Sequence, residues 1–245
     1  MLDSIVASAN RIHCTRYGGA VVTFLAGSLI RGESTATSDL DLVVVFARVP
    51  QAYRESFRFD GWPVEAFVHD AETLGYFFLE ADRPTGIPSL ACMVSEGIEI
   101  PGPSDSSRSL KELADSTLRQ GPSSWGRAEI DASRYAITSL IDDLRQPRSR
   151  AEAIATATTL YRSLADHYFR SRQVWSAKDK SIPRKLREAD AALAERFESG
   201  FDKLFRSEES VQVIALAEEV LAPNGGWLFD NYVASAPDHW RRPLA

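Results

Sequence analysis

The spacing of apolar residues changes character once along this chain, near residue 121. Before that point short apolar runs and alternations are interspersed with helical stripes. After it they recur at helical spacing. Leu2 to Arg16 opens with a rough apolar stripe through Ile5, Val6 and Ile12, which predicts a helix stopped by Gly18-Gly19. Ala20 to Ala26 and Leu40 to Phe46 are nearly continuous apolar runs, as in strands covered on both faces. Tyr53 to Asp60 and Trp62 to His69 predict a hairpin about Asp60-Gly61. In its second arm Val64, Ala66 and Val68 share one face, while Glu65 and Phe67 share the other. Glu65 therefore interrupts an otherwise apolar strand. An acid there is costly if it is buried without a partner. An edge strand facing water is the alternative.

Asp70 is placed to cap a helix over Ala71 to Ala81 that ends near Arg83-Pro84. A second helical piece, Ser89 to Ser95, stops at Gly97. A short strand over Ile98 to Pro103 and a helix over Leu110 to Leu118 follow. Gly121-Pro122-Ser123-Ser124 is rich in breakers and reads as a linker. Beyond it everything predicts helix: Arg127 to Arg145, Ala151 to Ser171, Arg184 to Phe197, Ser199 to Phe205 and Ser210 to Leu221. A tail with Trp227, Phe229, Tyr232 and Trp240 is expected to pack back on these helices. The pattern predicts an α+β fold, a mixed sheet flanked by helices followed by an all-α bundle. It divides into domains over residues 1–122 and 123–245.

Composition narrows the function classes. At 44% hydrophobic and 25% charged residues the chain is ordinary for a globular protein, and no apolar run approaches the ~20 residues that cross a bilayer. The N-terminal stretch carries an early acid and amphipathic spacing, unlike a signal peptide. Cys14 and Cys92 are too few and too far apart for a disulfide framework, so a cytoplasmic, reducing location is expected. A net charge of −6 argues against a nucleic-acid partner, whose backbone calls for a basic surface. It would suit a cationic acceptor, though acidic proteins are common.

The chemistry gathers in Ala26 to Phe46, AGSLIRGESTATSDLDLVVVF. Asp39 and Asp41 project to one face at the mouth of an apolar strand, about 7 Å apart along the backbone. Two such carboxylates repel each other unless a cation sits between them, and hard oxygen donors favour magnesium. An Asp-x-Asp on its own can simply cap a strand or face water. Here it follows Gly27-Ser28 by a spacer of ten residues and leads into Leu42 to Phe46. Glycine permits close backbone approach to a phosphate, and Ser28 offers a hydroxyl to the same oxygens.

This combination resembles the signature of the DNA polymerase β-like nucleotidyltransferase superfamily: Gly-Ser, a spacer, Asp-x-Asp, then a third acid on a later strand. Arg31-Gly32-Glu33 and Ser38 to Leu42 are similar to the bacterial aminoglycoside and minimal nucleotidyltransferase branches. The resemblance covers residues 20 to 70 and is only architectural beyond them. It implies a polymerase β-like core in which Asp39, Asp41 and Glu65 hold two magnesium ions. It also implies transfer of a nucleoside monophosphate, AMP from ATP or from another nucleoside triphosphate, to a hydroxyl of a small molecule such as an aminoglycoside-like antibiotic. Glu65 would complete the metal site or take the acceptor's proton, with Gly27 and Ser28 on the β- and γ-phosphates. Transfer of AMP to protein or RNA, and a non-catalytic nucleotide-binding regulator, are the competing readings.

Leaving pyrophosphate calls for a cation. Arg31 in the signature loop is one candidate. Lys178 and Lys180, with Lys185, form another group, which can equally be a solvated basic run. Tyr161, His167 and Trp175 suit an acceptor pocket or, at helical spacing, a bundle core. Asp142-Asp143 suits a cationic acceptor or a plain helix surface.

Overall fold

The computed structural model describes residues 2–241. The chain divides into two compact units, Met1–Ser123 and Ser124–Ala245. The first is α+β and the second is helical, as the hydrophobic pattern predicts. Among the described residues no helix is long and apolar enough to cross a membrane.

In the first unit, helix α1 (Leu2–Arg16) precedes strands β1 (Val22–Ala26), β2 (Leu40–Val45), β3 (Tyr53–Phe59) and β4 (Trp62–His69). Helices α2 (Ala71–Tyr76), α3 (Arg83–Thr85) and α4 (Ser89–Glu96), strand β5 (Ile98–Ile100) and helix α5 (Asp105–Gln120) follow. The sheet order is β3-β4-β2-β1-β5. β1 runs antiparallel to β2 and to β5, and β3 antiparallel to β4, whereas β4 lies parallel to β2.

The sheet is apolar on both faces. On one face Leu40, Leu42, Val44, Val64, Ala66 and Val68 pack with Ile5, Ala9 and Ile12 of α1. On the other face Val22, Phe24, Val43 and Val45 pack with Leu74, Phe78, Leu90, Val94 and Leu110. Double coverage explains why β1 and β2 are continuous apolar runs, while β4 alternates between fully and half buried.

Several boundaries differ from expectation for local reasons. The helix that begins at α2 ends at Thr85, close to the expected Arg83-Pro84, but it is not regular on the way. It passes through a π-helical segment, Phe77–Asp82, where the Arg83 N–H donates to the Phe78 carbonyl, and continues through α3 to a left-handed Gly86. The widened turn has already left the regular ladder, so the N–H that Pro84 lacks removes no ordinary helical bond. β5 stops at Ile100, since Pro101 cannot donate to a ladder. α5 starts at Asp105 rather than Leu110, because Ser104 and Ser107 form a reciprocal capping box.

The second unit contains α6 (Arg127–Arg145), α7 (Arg150–Arg170), α8 (Ile182–Ala189), α9 (Ala191–Ser207) and α10 (Val211–Leu221). The break between α8 and α9 falls at Asp190, not near residue 198. The Asp190 carboxylate accepts the Leu193 N–H at 2.9 Å and starts a new helix. Tyr161 is half-buried and meets Phe197 and Phe201 edge-on at ring separations of 5.0 and 4.9 Å, so it packs against the bundle core. His167 is fully buried. Asp142 is tied to Arg145 on the surface of α6. In the tail, Trp227 packs on the core and Tyr232 stacks on Tyr135 at 4.2 Å, but Trp240 is exposed.

Candidate metal centre

Strand polarity brings the three acids together. β1 ends at Ala26, which is paired with Asp41 at the start of β2. β4 runs parallel to β2 with Asp41 directly beside Glu65. Asp39 and Asp41 share a face with Val43 and Val45, and Glu65 shares one with Phe67. The acids thus continue the face that carries Phe24 and Val43. Each is half-buried, and one carboxylate oxygen from each lies within 4.8 Å of those of the other two. Three hard oxygen donors at this separation, none fully enclosed, fit a magnesium-type cation that keeps part of its water shell.

The loop after β1 is built around Asp41. Gly27 has φ +81, and a Cβ there would stand 1.9 Å from Asp41 Oδ2 and 2.7 Å from its Cγ. Glycine is required at this position twice, for the left-handed backbone and for the carboxylate lying against it. The chain then makes a single turn, in which the Gly27 carbonyl accepts from the Ile30 and Arg31 N–H groups, both at 3.2 Å. The Ser28 hydroxyl donates to Ser38 Oγ at 3.2 Å, and Ser38 Oγ accepts the Thr35 N–H at 2.8 Å. This cross-link ties the glycine-serine turn to the residue before Asp39. It was not apparent in the sequence, although Ser38 stands beside the motif.

Arg31 is engaged by Glu33 and by Glu96 of α4. Burial works against its charge, the two carboxylates outweigh that, and its pKa lies above the ordinary arginine value. Its guanidinium therefore braces the loop against α4. Lys178 and Lys180 are exposed residues of the second unit, on either side of Asp179 at the short turn that opens α8. The site includes one residue that the motif did not mark. Arg54 of β3 forms an ion pair with Glu65 while its Cζ lies 5.0 Å over the Phe67 ring. Arg54 pairs across the strands with Phe67, and Ser56 pairs with Glu65, so the contact is a diagonal one within the hairpin.

No protein-family model matches the chain, and no curated protein does. Among solved structures it is similar to a nucleotidyltransferase-like protein from Exiguobacterium sibiricum, with 16% sequence identity and a TM-score of 0.45. That overlap covers 90% of this chain and 75% of the other. A likeness this loose identifies no activity.

Proposed function

We propose that the protein is a metal-dependent nucleotidyltransferase. One observation carries this: the carboxylates of Asp41 and Glu65, on neighbouring parallel strands, and of Asp39 just before the first of them converge within 4.8 Å beside a turn that requires glycine. Asp39, Asp41 and Glu65 would hold magnesium, which neutralises charge gathering on the phosphate oxygens and lowers the pKa of a bound hydroxyl.

The chain's own groups do the positioning. Gly27 and Ser28 line the turn that would meet the β- and γ-phosphates of a nucleoside triphosphate, ATP in the first instance. An acceptor hydroxyl forms a bond to the α-phosphorus, the bond to the bridging oxygen breaks, and pyrophosphate leaves. The hydroxyl proton passes to Glu65 or to water. The acceptor we favour is a hydroxyl on a small molecule, with aminoglycoside-like compounds first to be assayed.

The test is transfer from α-labelled ATP in magnesium, screened against aminoglycosides, lysate proteins and RNA, with Asp41→Asn in parallel. Label appearing on a small molecule and vanishing with Asp41→Asn supports the reading. Label on protein or RNA moves the acceptor to another class. Transfer that persists in Asp41→Asn, or no transfer to any acceptor, would sink it.

A further inference from the structure

The metal site carries a cation of its own. Arg54 and Glu65 belong to adjacent strands of one hairpin, and the guanidinium is held from two directions. It stacks over Phe67 and bonds one oxygen of Glu65. Phe67 and Glu65 lie two positions apart on the same face of β4, so the ring is a platform from which Arg54 reaches the carboxylate diagonally. We infer that Arg54 is a resident counter-ion of the carboxylate site that weakens its hold on a divalent ion until a polyphosphate arrives with that ion. This rests on the metal-site reading and deepens it.

The physical basis is charge. Three carboxylates crowded within 4.8 Å repel one another, and a guanidinium bonded to one of them offsets part of that repulsion. The same positive charge repels an incoming divalent cation. A nucleoside triphosphate supplies several negative charges, so the opposition from Arg54 is smallest when metal and nucleotide enter together. A bonded carboxylate oxygen still has lone pairs to offer, so Glu65 need not release Arg54 in order to ligate. Arg54 acts through Glu65 and is a positioning residue. Its side chain is 56% exposed, which makes the effect sensitive to salt.

The sign of the expected change separates this role from a structural one. Removing an ordinary support loosens a site, whereas removing a counter-ion tightens it for the metal. Manganese(II) titrated into nucleotide-free protein and followed by electron paramagnetic resonance should bind Arg54→Ala about tenfold more tightly than wild type at low ionic strength, and about threefold more tightly near physiological salt. Arg54→Lys, which keeps the charge, should stay within about twofold of wild type. With a non-hydrolysable ATP analogue present, the gap between wild type and Arg54→Ala should shrink.

Arg58→Ala is the control for diffuse charge, since Arg58 lies on the same exposed face of β3 opposite Pro63. Equal tightening in Arg54→Ala and Arg58→Ala would overturn the assignment, and so would unchanged or weaker binding in Arg54→Ala. Asp41→Asn distinguishes the two levels. If it abolishes manganese binding while Arg54→Ala fails to tighten it, only the counter-ion role falls. If it leaves manganese binding intact, the metal site falls with it.

Discussion

Replacing Gly27 with alanine is the sharpest test of the geometry, because the residue is buried against Asp41 and is not itself charged. Two costs add. At φ +81 an alanine occupies the left-handed region, at roughly 1–2 kcal/mol. Its Cβ would also meet Asp41 at 1.9 Å from Oδ2, 2.7 Å from Cγ and 2.9 Å from Cβ. Ordinary contact begins at 3.4 Å, so the carboxylate must retreat by about 1.5 Å, the difference between 3.4 and 1.9 Å. A ligand is useful only within about 0.2 Å of its proper metal distance. A displacement several times larger takes Asp41 out of the site, and a loss of manganese affinity of at least about 100-fold follows, or ~3 kcal/mol. The metal-free protein should lose only ~2 kcal/mol, a fall in melting temperature of about 6 °C. Gly32 provides the matched control. It has φ +72, and nothing lies within 4 Å of a Cβ built there. Gly32→Ala should therefore carry the backbone strain and leave metal binding intact. Manganese titration and thermal melts of both variants decide the matter. Wild-type affinity in Gly27→Ala, or equal losses in the two variants, would refute the reasoning.

Asp39→Asn should raise the stability of the metal-free protein by about 1 kcal/mol, since like charges within 4.8 Å repel even at water-like dielectric; chemical denaturation in a chelator, with manganese affinity falling in the same variant, checks this. Burial lowers the pKa of His167 to about 4, below its unfolded value, while its Nδ1 lies 2.9 Å from Ser133 Oγ and its Nε2 3.2 Å from Asn224 Oδ1. A base whose folded pKa is depressed contributes its stability above pH ~6.5 and loses it as the pH falls toward 4, so urea midpoints should drop over that window and His167→Gln should flatten the slope, by up to ~3 kcal/mol in all. Arg134 is buried and donates to the carbonyls of Gly225 at 2.8 Å, Gly226 at 2.8 Å and Trp227 at 3.3 Å. Arg134→Met should cost ~2–3 kcal/mol and speed proteolytic cleavage within residues 225–235, because three acceptors lose their donor.

Local signals were legible and distant partners were not. The hairpin could be read because Asp60 and Gly61 adopt φ 49 and 85, the pair of left-handed residues that a two-residue turn demands, and Asp and Gly tolerate that conformation best. Glu65 stood out as a polar break in an apolar face. Arg54 could have been found by the same means: counting back from the turn places it opposite Phe67 and diagonal to Glu65. Glu96, which holds Arg31 from helix α4, 65 positions away, leaves no trace near the motif. The widened turn over Phe77–Asp82 is equally hidden, since the buried residues Leu74, Phe78 and Asp82 still recur at helical spacing. The break at Asp190 was missed because the apolar period runs through it, although Asp is a common cap.

The parallel pairing of β2 with β4 is what makes a site of three separate acids, and no local pattern specifies it. After β2 the chain crosses to the sheet edge as β3 and turns back as β4, so the second arm of the hairpin lies beside β2. Six residue pairs set this register, from Leu40 with Val64 to Val45 with His69. The register is enforced from the opposite face. Val64, Ala66 and Val68 are buried among Leu40, Leu42, Val44 and the apolar side of α1. A slip by one residue would turn Glu65 into that core and push Val64 and Ala66 outward. Burying an unpaired carboxylate costs several kcal/mol, more than the slip could recover. Core packing on one face thus aligns the charged groups on the other. The acids bring repulsion rather than cohesion to the fold, so the apolar face beneath them has to supply the stability that keeps them together.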